Sequence, residues 1–234
     1  SAKFRMSVLK VDLNLVQKYN VPGPRYTSYP PATQFNGELT TELLIGKMRE
    51  TFGSDRDLSL YFHLPFCQTL CWFCGCTTVI TTQQKQSGTY LEYLQKEMDM
   101  VAPHLKSGRK AIQLHFGGGT PTFLLPEEIR ALGRMIHSRF TVAENVEAGV
   151  EIDPRRVSRD HIKALREVGF NRASIGIQDN NPAVQEAVHR IQPLEMTRQV
   201  VEWIRAEGFQ SLNVDLIYGL PYQTPESFEK TLEE

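Results

Sequence analysis

The chain has 234 residues, a formal net charge of −1 and 41% hydrophobic residues. That length can bury a full core, and the near-neutral balance offers no broad basic surface for nucleic acid. No apolar run reaches membrane-spanning length and no secretory leader is visible, so neither a membrane span nor a disulfide framework is expected.

In chain order, the first distinctive segment is Lys18–Phe35, rich in proline and tyrosine and poor in aliphatics. Prolines remove backbone donors and fix φ, so this segment reads as non-helical: a tethered surface loop, or a lid laid across a site. Residues 1–57 are read as an N-terminal extension.

From residue 58 a repeat begins. Strand candidates are Leu58–Leu64, Ala111–Phe116, Val146–Asp153, Ala173–Ile177 and Ser211–Tyr218. Helical periodicity marks Tyr90–Ala102, Glu127–Arg139, Arg159–Val168, a segment near Pro182–His189, and Glu195–Glu207. Pro126 and Ser158 read as helix starts, and Gly169 and Gly208 as left-handed helix ends. Alternating units of this size imply an α/β domain over 58–234 with a parallel sheet and right-handed crossovers.

Parity within the strands narrows the architecture. Leu60 and Phe62 alternate with Tyr61 and His63; Ile112, Leu114 and Phe116 with Gln113 and His115. Val146, Ala148, Val150 and Ile152 alternate with Glu147, Glu151 and Asp153; Ala173, Ile175 and Ile177 with Ser174, Gly176 and Gln178; Leu212, Val214 and Leu216 with Asn213 and Asp215. Side chains alternate across a strand, so every strand shows one apolar and one polar face. A closed eight-stranded barrel would fill its interior with branched apolar residues. The expectation is therefore an open, partial (β/α) barrel of the TIM-like kind with a polar lumen. Its site should lie at the C-terminal strand ends, where the cysteines, Gly117-Gly118-Gly119-Thr120-Pro121, Glu151 and Asp153, Gln178, and Tyr218-Gly219-Leu220-Pro221 all fall.

All four cysteines, Cys67, Cys71, Cys74 and Cys76, lie within ten residues. Three thiolates at CxxxCxxC spacing on one loop can hold three irons of a cubane cluster and leave the fourth open to a ligand. A zinc site usually draws on two separated knuckles, and a redox CxxC pair would not need two further cysteines. The spacing resembles the radical S-adenosylmethionine (SAM) enzymes, in which the open iron chelates SAM and the reduced cluster splits it to a 5′-deoxyadenosyl radical. That resemblance implies a [4Fe-4S] cluster on Cys67, Cys71 and Cys74, SAM as cofactor, and a cytoplasmic location suited to an oxygen-sensitive group.

The glycine run is not a P-loop, since no Gly-Lys-Ser/Thr follows. It resembles the motif that holds the SAM amino group. On the polar face Tyr61 suits contact with an adenine, and Glu151 suits ribose hydroxyls, with Gln178 and Asp215 as further polar candidates. Arg190 reads equally as a ligand or a solvated helix-end charge. His63, His115 and Asp153 are lumen residues without an assigned role, and His104, His137 and His161 read as surface residues.

The match is narrower still over Pro24-Arg25-Tyr26-Thr27-Ser28-Tyr29-Pro30, Tyr61-Phe62-His63-Leu64-Pro65-Phe66-Cys67, Cys71-Trp72-Phe73-Cys74-Gly75-Cys76, Glu151-Ile152-Asp153-Pro154-Arg155 and Asp215-Leu216-Ile217-Tyr218-Gly219-Leu220-Pro221. These resemble the oxygen-independent coproporphyrinogen III oxidases, or coproporphyrinogen dehydrogenases. The resemblance implies oxidative decarboxylation of two propionates of coproporphyrinogen III to vinyls. It implies two SAM molecules, the first contacted by Tyr61, Gly118 and Glu151, the second by Phe73, Gly119, Thr120, Gln178, Arg190 and Asp215. It further implies an electron donor and an electron acceptor, and a monomer with no nucleic-acid or membrane partner. Asn180 stands where relatives usually carry an aromatic, and His189 where Asn is common. Family members run on past the equivalent of residue 234, so a sixth strand and a C-terminal domain are expected beyond it, and residues 1–234 alone are expected to turn over substrate poorly. A haem-binding chaperone of the same superfamily is the competing reading; such relatives generally lack a cysteine at the Cys76 position and the tyrosine-rich segment. A zinc-binding interaction module is the other.

Overall fold

The structure is a computed structural model, and it describes residues 12–21, 31, 34–51 and 54–234. Backbone contacts divide the chain into two compact units, residues 1–46 and 47–234. Asp55 pairs with Lys106, and Arg109 Nε donates to Arg56 O at 2.6 Å. These contacts attach the lead-in to the first strand to the second unit.

In the first unit, α1 spans Leu13–Tyr19 and α2 begins at Thr41, running to Glu50. Asp12 caps α1 by accepting from Asn14 N at 2.9 Å and Leu15 N at 3.3 Å. Lys18 and Tyr19 are thus helical, against the expectation for Lys18–Phe35. The Asp12 cap, upstream of that segment, starts the helix before the prolines can forbid it. Residues 22–30, 32 and 33 lie outside the described residues, and the lid reading with them.

The second unit is built on five parallel strands: β1 (Leu58–Leu64), β4 (Lys110–Gly118), β5 (Thr141–Ile152), β6 (Arg172–Gln178) and β7 (Ser211–Leu216). They pair in the order β1-β4-β5-β6-β7, and β1 and β7 are the two edges. A small parallel pair, β2 (Phe66–Cys67) with β3 (Val79–Ile80), stands apart. The sheet does not close on itself, as expected of a partial barrel. The intervening helices are α3 (Lys85–Val101), α4 (Pro126–His137), α5 (Arg159–Val168), α6 (Pro182–Ala187) and α7 (Leu194–Ala206), with α8 (Pro225–Glu233) after β7.

Residues three and four apart on each long helix supply the core: Leu91, Leu94 and Met98 on α3, Ile129, Leu132 and Ile136 on α4, Ile162, Leu165 and Val168 on α5, Val200 and Ile204 on α7. Each fully buried aliphatic side chain contributes about 1.5–3 kcal/mol of transfer free energy. They meet the apolar face of the sheet, where Phe116 is fully buried between Phe62 and Phe170, at ring separations of 5.6 and 4.5 Å. Ser158 and Gly169 bound α5 as the sequence suggests, the glycine at φ 112°. The opposite face carries the polar set in register, with Tyr61 beside His115, Gln113 beside Glu147, Glu151 beside Ser174 and Ser174 beside Asn213.

The parity fails within β4, and a second register shift falls between Gly176 and Gln178 of β6. Ile112, expected on the apolar face, is 43% exposed while Ala111 is fully buried. Against β1 the register steps from Leu58 beside Ala111 to Ser59 beside Gln113, so β4 carries one extra residue there and the alternation reverses before it.

Candidate cofactor site

The cysteine loop has a hydrogen-bonded neck. Val79 N donates to Pro65 O at 2.8 Å, and Thr81 N to Cys67 O at 2.9 Å. The loop's far side rests on the turn after α6. Trp72 N donates to Val188 O at 3.0 Å, His189 Nδ1 lies 2.9 Å from Leu70 O, and the Trp72 and His189 rings stand 5.6 Å apart. His189 has φ 57°. Asn and His are among the side chains most tolerant of that left-handed conformation, which accounts for His where Asn is common.

Facing the loop is the glycine motif at the end of β4. Gly119 N donates to Leu64 O at 2.9 Å and Thr120 N to Phe66 O at 2.8 Å. A Cβ at Gly119 would fall 2.6 Å from Pro65 O, so only glycine admits this approach of two backbones. Thr120 Oγ1 lies 3.3 Å from Cys67 Sγ. Burial pushes the Cys67 thiol up, partly offset by that hydroxyl. Cys76 is pushed up to about 11 by burial and then by neighbouring Cys74.

Loop, glycine motif and strand ends enclose a cavity of about 290 Å³. Cys67, Cys71, Cys74, Cys76 and Phe73 line one side. Gly118, Gly119, Thr120 and Glu151 line a second, and Gln178, Arg190 and Asp215 a third. Tyr61 is not in the lining. It is 57% exposed on the edge strand, with its ring stacked 5.7 Å from His115. Burial, then the Glu151 charge, raises its hydroxyl pKa. His115 Nε2 lies 3.3 Å from Glu151 Oε1. Asp215 accepts from Ser174 Oγ and Asn213 Nδ2, each at 2.8 Å, which orients both carboxylate oxygens.

Two residues without a role in the sequence reading hold the centre. Asp153 is bound by Arg155 at 2.6 Å and Arg190 at 3.5 Å. Burial would raise its carboxyl, but the two guanidinium groups outweigh it and hold the pKa below the usual range. The local signal was Asp153-Pro154-Arg155 directly after a strand, a helix-start pattern. Asp153 does cap a short 3-10 turn, Pro154–Arg156. Arg190, read evenly from sequence, is 8% exposed, and its Nε has no partner among the described residues. His161 is also more than a surface residue: its Nδ1 accepts from Ser158 N at 3.1 Å, closing the cap of α5.

A model of the radical SAM superfamily matches residues 61–234. The chain belongs to the radical SAM superfamily. Membership implies a [4Fe-4S] cluster and SAM as cofactors, and the donor set fits them. All four cysteines line one cavity, and a buried guanidinium there still has an N–H to offer. No three such ligand side chains among the described residues converge on a point suited to one metal ion. A cubane sets each thiolate on a different iron, so its ligands stand farther apart than those of a zinc ion. Within this superfamily the chain is 48% identical to an oxygen-independent coproporphyrinogen III oxidase of Synechocystis sp., over 93% of this chain and 47% of that protein. It is 45% identical to the Escherichia coli protein of the same name, over 97% and 50% respectively. The solved coproporphyrinogen III oxidase of Escherichia coli, a radical SAM enzyme, superposes with a TM-score of 0.87 at 42% identity, over 95% of this chain and 49% of that one. The chain spans about half the length of the curated relatives it matches. Among the described residues no helix is long and apolar enough to cross a membrane.

Proposed function

We propose that this chain carries the cofactor-binding barrel of an oxygen-independent coproporphyrinogen III oxidase, acting in the cytoplasm as a monomer, with residues 1–57 an N-terminal extension and 58–234 the barrel. The reaction is oxidative decarboxylation of two propionates of coproporphyrinogen III to vinyls, giving protoporphyrinogen IX and two carbon dioxide molecules. The observation that carries this reading is the shared cavity: the cysteine triplet, the glycine motif and the polar strand ends line one space, in a chain 48% identical to a relative of that name. The cluster, with SAM bound, supplies the radical that opens the reaction.

The side chains offer complementary chemistry for two SAM molecules. Cys67, Cys71 and Cys74 hold the cluster. Glu151 accepts from ribose hydroxyls of the first SAM, Tyr61 offers an aromatic face beside it, and Gly118 borders its methionine end. The N–H groups of Gly119 and Thr120 are already committed to Leu64 and Phe66, so an α-amino group, being a donor, meets the motif's carbonyl oxygens. Phe73, Gly119, Thr120, Gln178, Arg190 and Asp215 receive the second SAM, with Arg190 Nε free for a carboxylate and Asp215 pre-oriented for a hydroxyl. Beyond Ser174, which lines both, a further cavity of about 350 Å³ extends down the polar face. An external electron donor and acceptor complete the stoichiometry.

The test is anaerobic reconstitution with iron and sulfide, then assay with SAM, coproporphyrinogen III and a low-potential reductant. Deoxyadenosine is expected, with vinyl-bearing porphyrinogen in low yield. Deoxyadenosine formation that coproporphyrinogen III leaves unchanged, with no vinyl product, would refute the substrate, and stoichiometric haem binding without either product would favour the chaperone.

A further inference from the structure

We propose that Asp153, Arg155 and Arg190 form a charge clamp on the Cys71 sulfur that raises the reduction potential of the bound cluster, with Arg155 as the positioning residue. This rests on the cluster reading above.

Arg155 Nη2 lies 3.3 Å from Cys71 Sγ, and Arg190 Nη1 lies 3.5 Å from it. One carboxylate holds both guanidinium groups in place. Asp153 receives Arg155 Nη2 at 2.6 Å, Arg155 Nε at 3.0 Å and Arg190 Nη1 at 3.5 Å. Asp153 Oδ1 also accepts from Arg155 N at 3.0 Å, so the arginine is aimed by its own turn at the tip of β5. Arg190 is aimed from the other side by donating to Gly176 O at 2.7 Å. The three side chains retain only 10–13% of their exposure.

Charge counting shows why the sulfur matters. Two guanidinium groups against one carboxylate leave one positive charge in a poorly solvated place. Guanidinium does not deprotonate in proteins, so the excess needs an anion, and Cys71 is where both forks point. The other two thiols are treated differently. Among the described residues Cys67 meets the neutral Thr120 hydroxyl, and no guanidinium reaches Cys74. Donors to a cluster sulfur and nearby positive charge both favour the state holding one more electron. Among the three thiolates that would hold a cluster, Cys71 is thus the one that two guanidinium groups address.

The test is a dithionite redox titration of the reconstituted cluster, followed by the paramagnetic signal of the reduced state, with no substrate present. One electron enters the cluster and no bond is made or broken. Arg155→Gln removes a positive charge and a donor, and should lower the midpoint potential at full iron content. Asp153→Asn removes the neutralising charge and should raise it. Arg155→Lys keeps the charge and should stay closer to the parent than Arg155→Gln does. Opposite displacements for the first two variants support the clamp, because a merely structural role would not reverse sign. An unmoved midpoint in Arg155→Gln, displacement of both in one direction, or a folded Arg155→Gln chain that takes up no cluster overturns it. Should Arg155→Gln not fold, Asp153→Asn decides alone, by rising or not. A parent chain that takes up no cluster sinks the proposed function along with the clamp, whereas an unmoved midpoint on a loaded cluster sinks only the clamp.

Discussion

His115 Nε2 stands 3.3 Å from Glu151 Oε1 across the β4–β5 pair, and Tyr61 of β1 stacks on the same imidazole. Three neighbouring strands thus contribute one side chain each to a single oriented carboxylate. The carboxylate is half exposed, so its value lies in direction more than in burial.

Glu151→Ala should therefore weaken SAM binding by about 1–3 kcal/mol, the usual effect of stranding hydrogen-bond partners, with the lower end expected for so open a site. Iron content should stay at the parent level. Calorimetry under anaerobic conditions reads the first quantity and metal analysis the second; unchanged affinity removes Glu151 from the site.

The cysteine assignments separate cleanly. Cys67→Ala, Cys71→Ala and Cys74→Ala should each abolish the broad iron–sulfur absorbance and SAM cleavage. Cys76→Ser should retain the cluster, since a fourth thiolate would close the iron that SAM needs. Loss of iron from Cys76→Ser, with a full cluster in one of the other three, would show the triplet to be wrongly chosen.

Close packing of α4 on α5 gives a prediction independent of cofactors. A Cβ at Gly133 would lie 2.5 Å from Val168 Cγ2. Both residues are buried, so the helices must move apart to admit a methyl group. Gly133→Ala should cost about 1–3 kcal/mol by overpacking, despite the better helix propensity of alanine. A urea titration of the apo chain measures it, and a stabilised variant would contradict the packing argument.

His161 predicts a pH dependence. Burial lowers its pKa in the folded chain, and its Nδ1 must stay unprotonated to accept from Ser158 N. A depressed folded pKa means the unfolded chain binds the proton more readily. The stabilising contribution is then present above the unfolded value of about 6.5 and is lost as pH falls toward the folded value. His161→Gln should flatten the stability of the apo chain over that window. An unchanged slope between the parent and His161→Gln would exclude this residue as its source.

The alternation of strands and helices was legible because periods of 2 and 3.6 are local properties of the chain. So was the gathering of the cysteines, Gly118, Gly119, Thr120, Glu151, Gln178 and Asp215 at one end of the sheet, which follows once the strands are parallel; Arg190, which follows a helix, was not legible in this way. Phe73 joins them in the cavity lining. Tyr61, placed correctly on the polar face, still lies outside the cavity lining, because parity gives a side chain's face but not its reach. The reversal at Ile112 was hidden because Ala111 and Ile112 are both apolar, so hydropathy cannot show which residue the sheet inserts. The Arg155 contact with Cys71 was hidden for another reason. It joins two residues 84 apart in sequence, and no local pattern distinguishes an arginine aimed at a sulfur from one aimed at water.

The hydrogen-bonded neck of the cysteine loop has a consequence for how a cluster is acquired. Val79 N on Pro65 O and Thr81 N on Cys67 O join the ends of the loop by backbone hydrogen bonds. Bringing distant ends together is the entropic obstacle that grows with loop length, and here backbone pairing has already overcome it. Metal uptake then needs only local ordering of the residues between the ends. In small zinc domains, by contrast, the ion itself supplies the folding free energy. Loss of the cluster and unfolding of the loop ends should therefore be separable events.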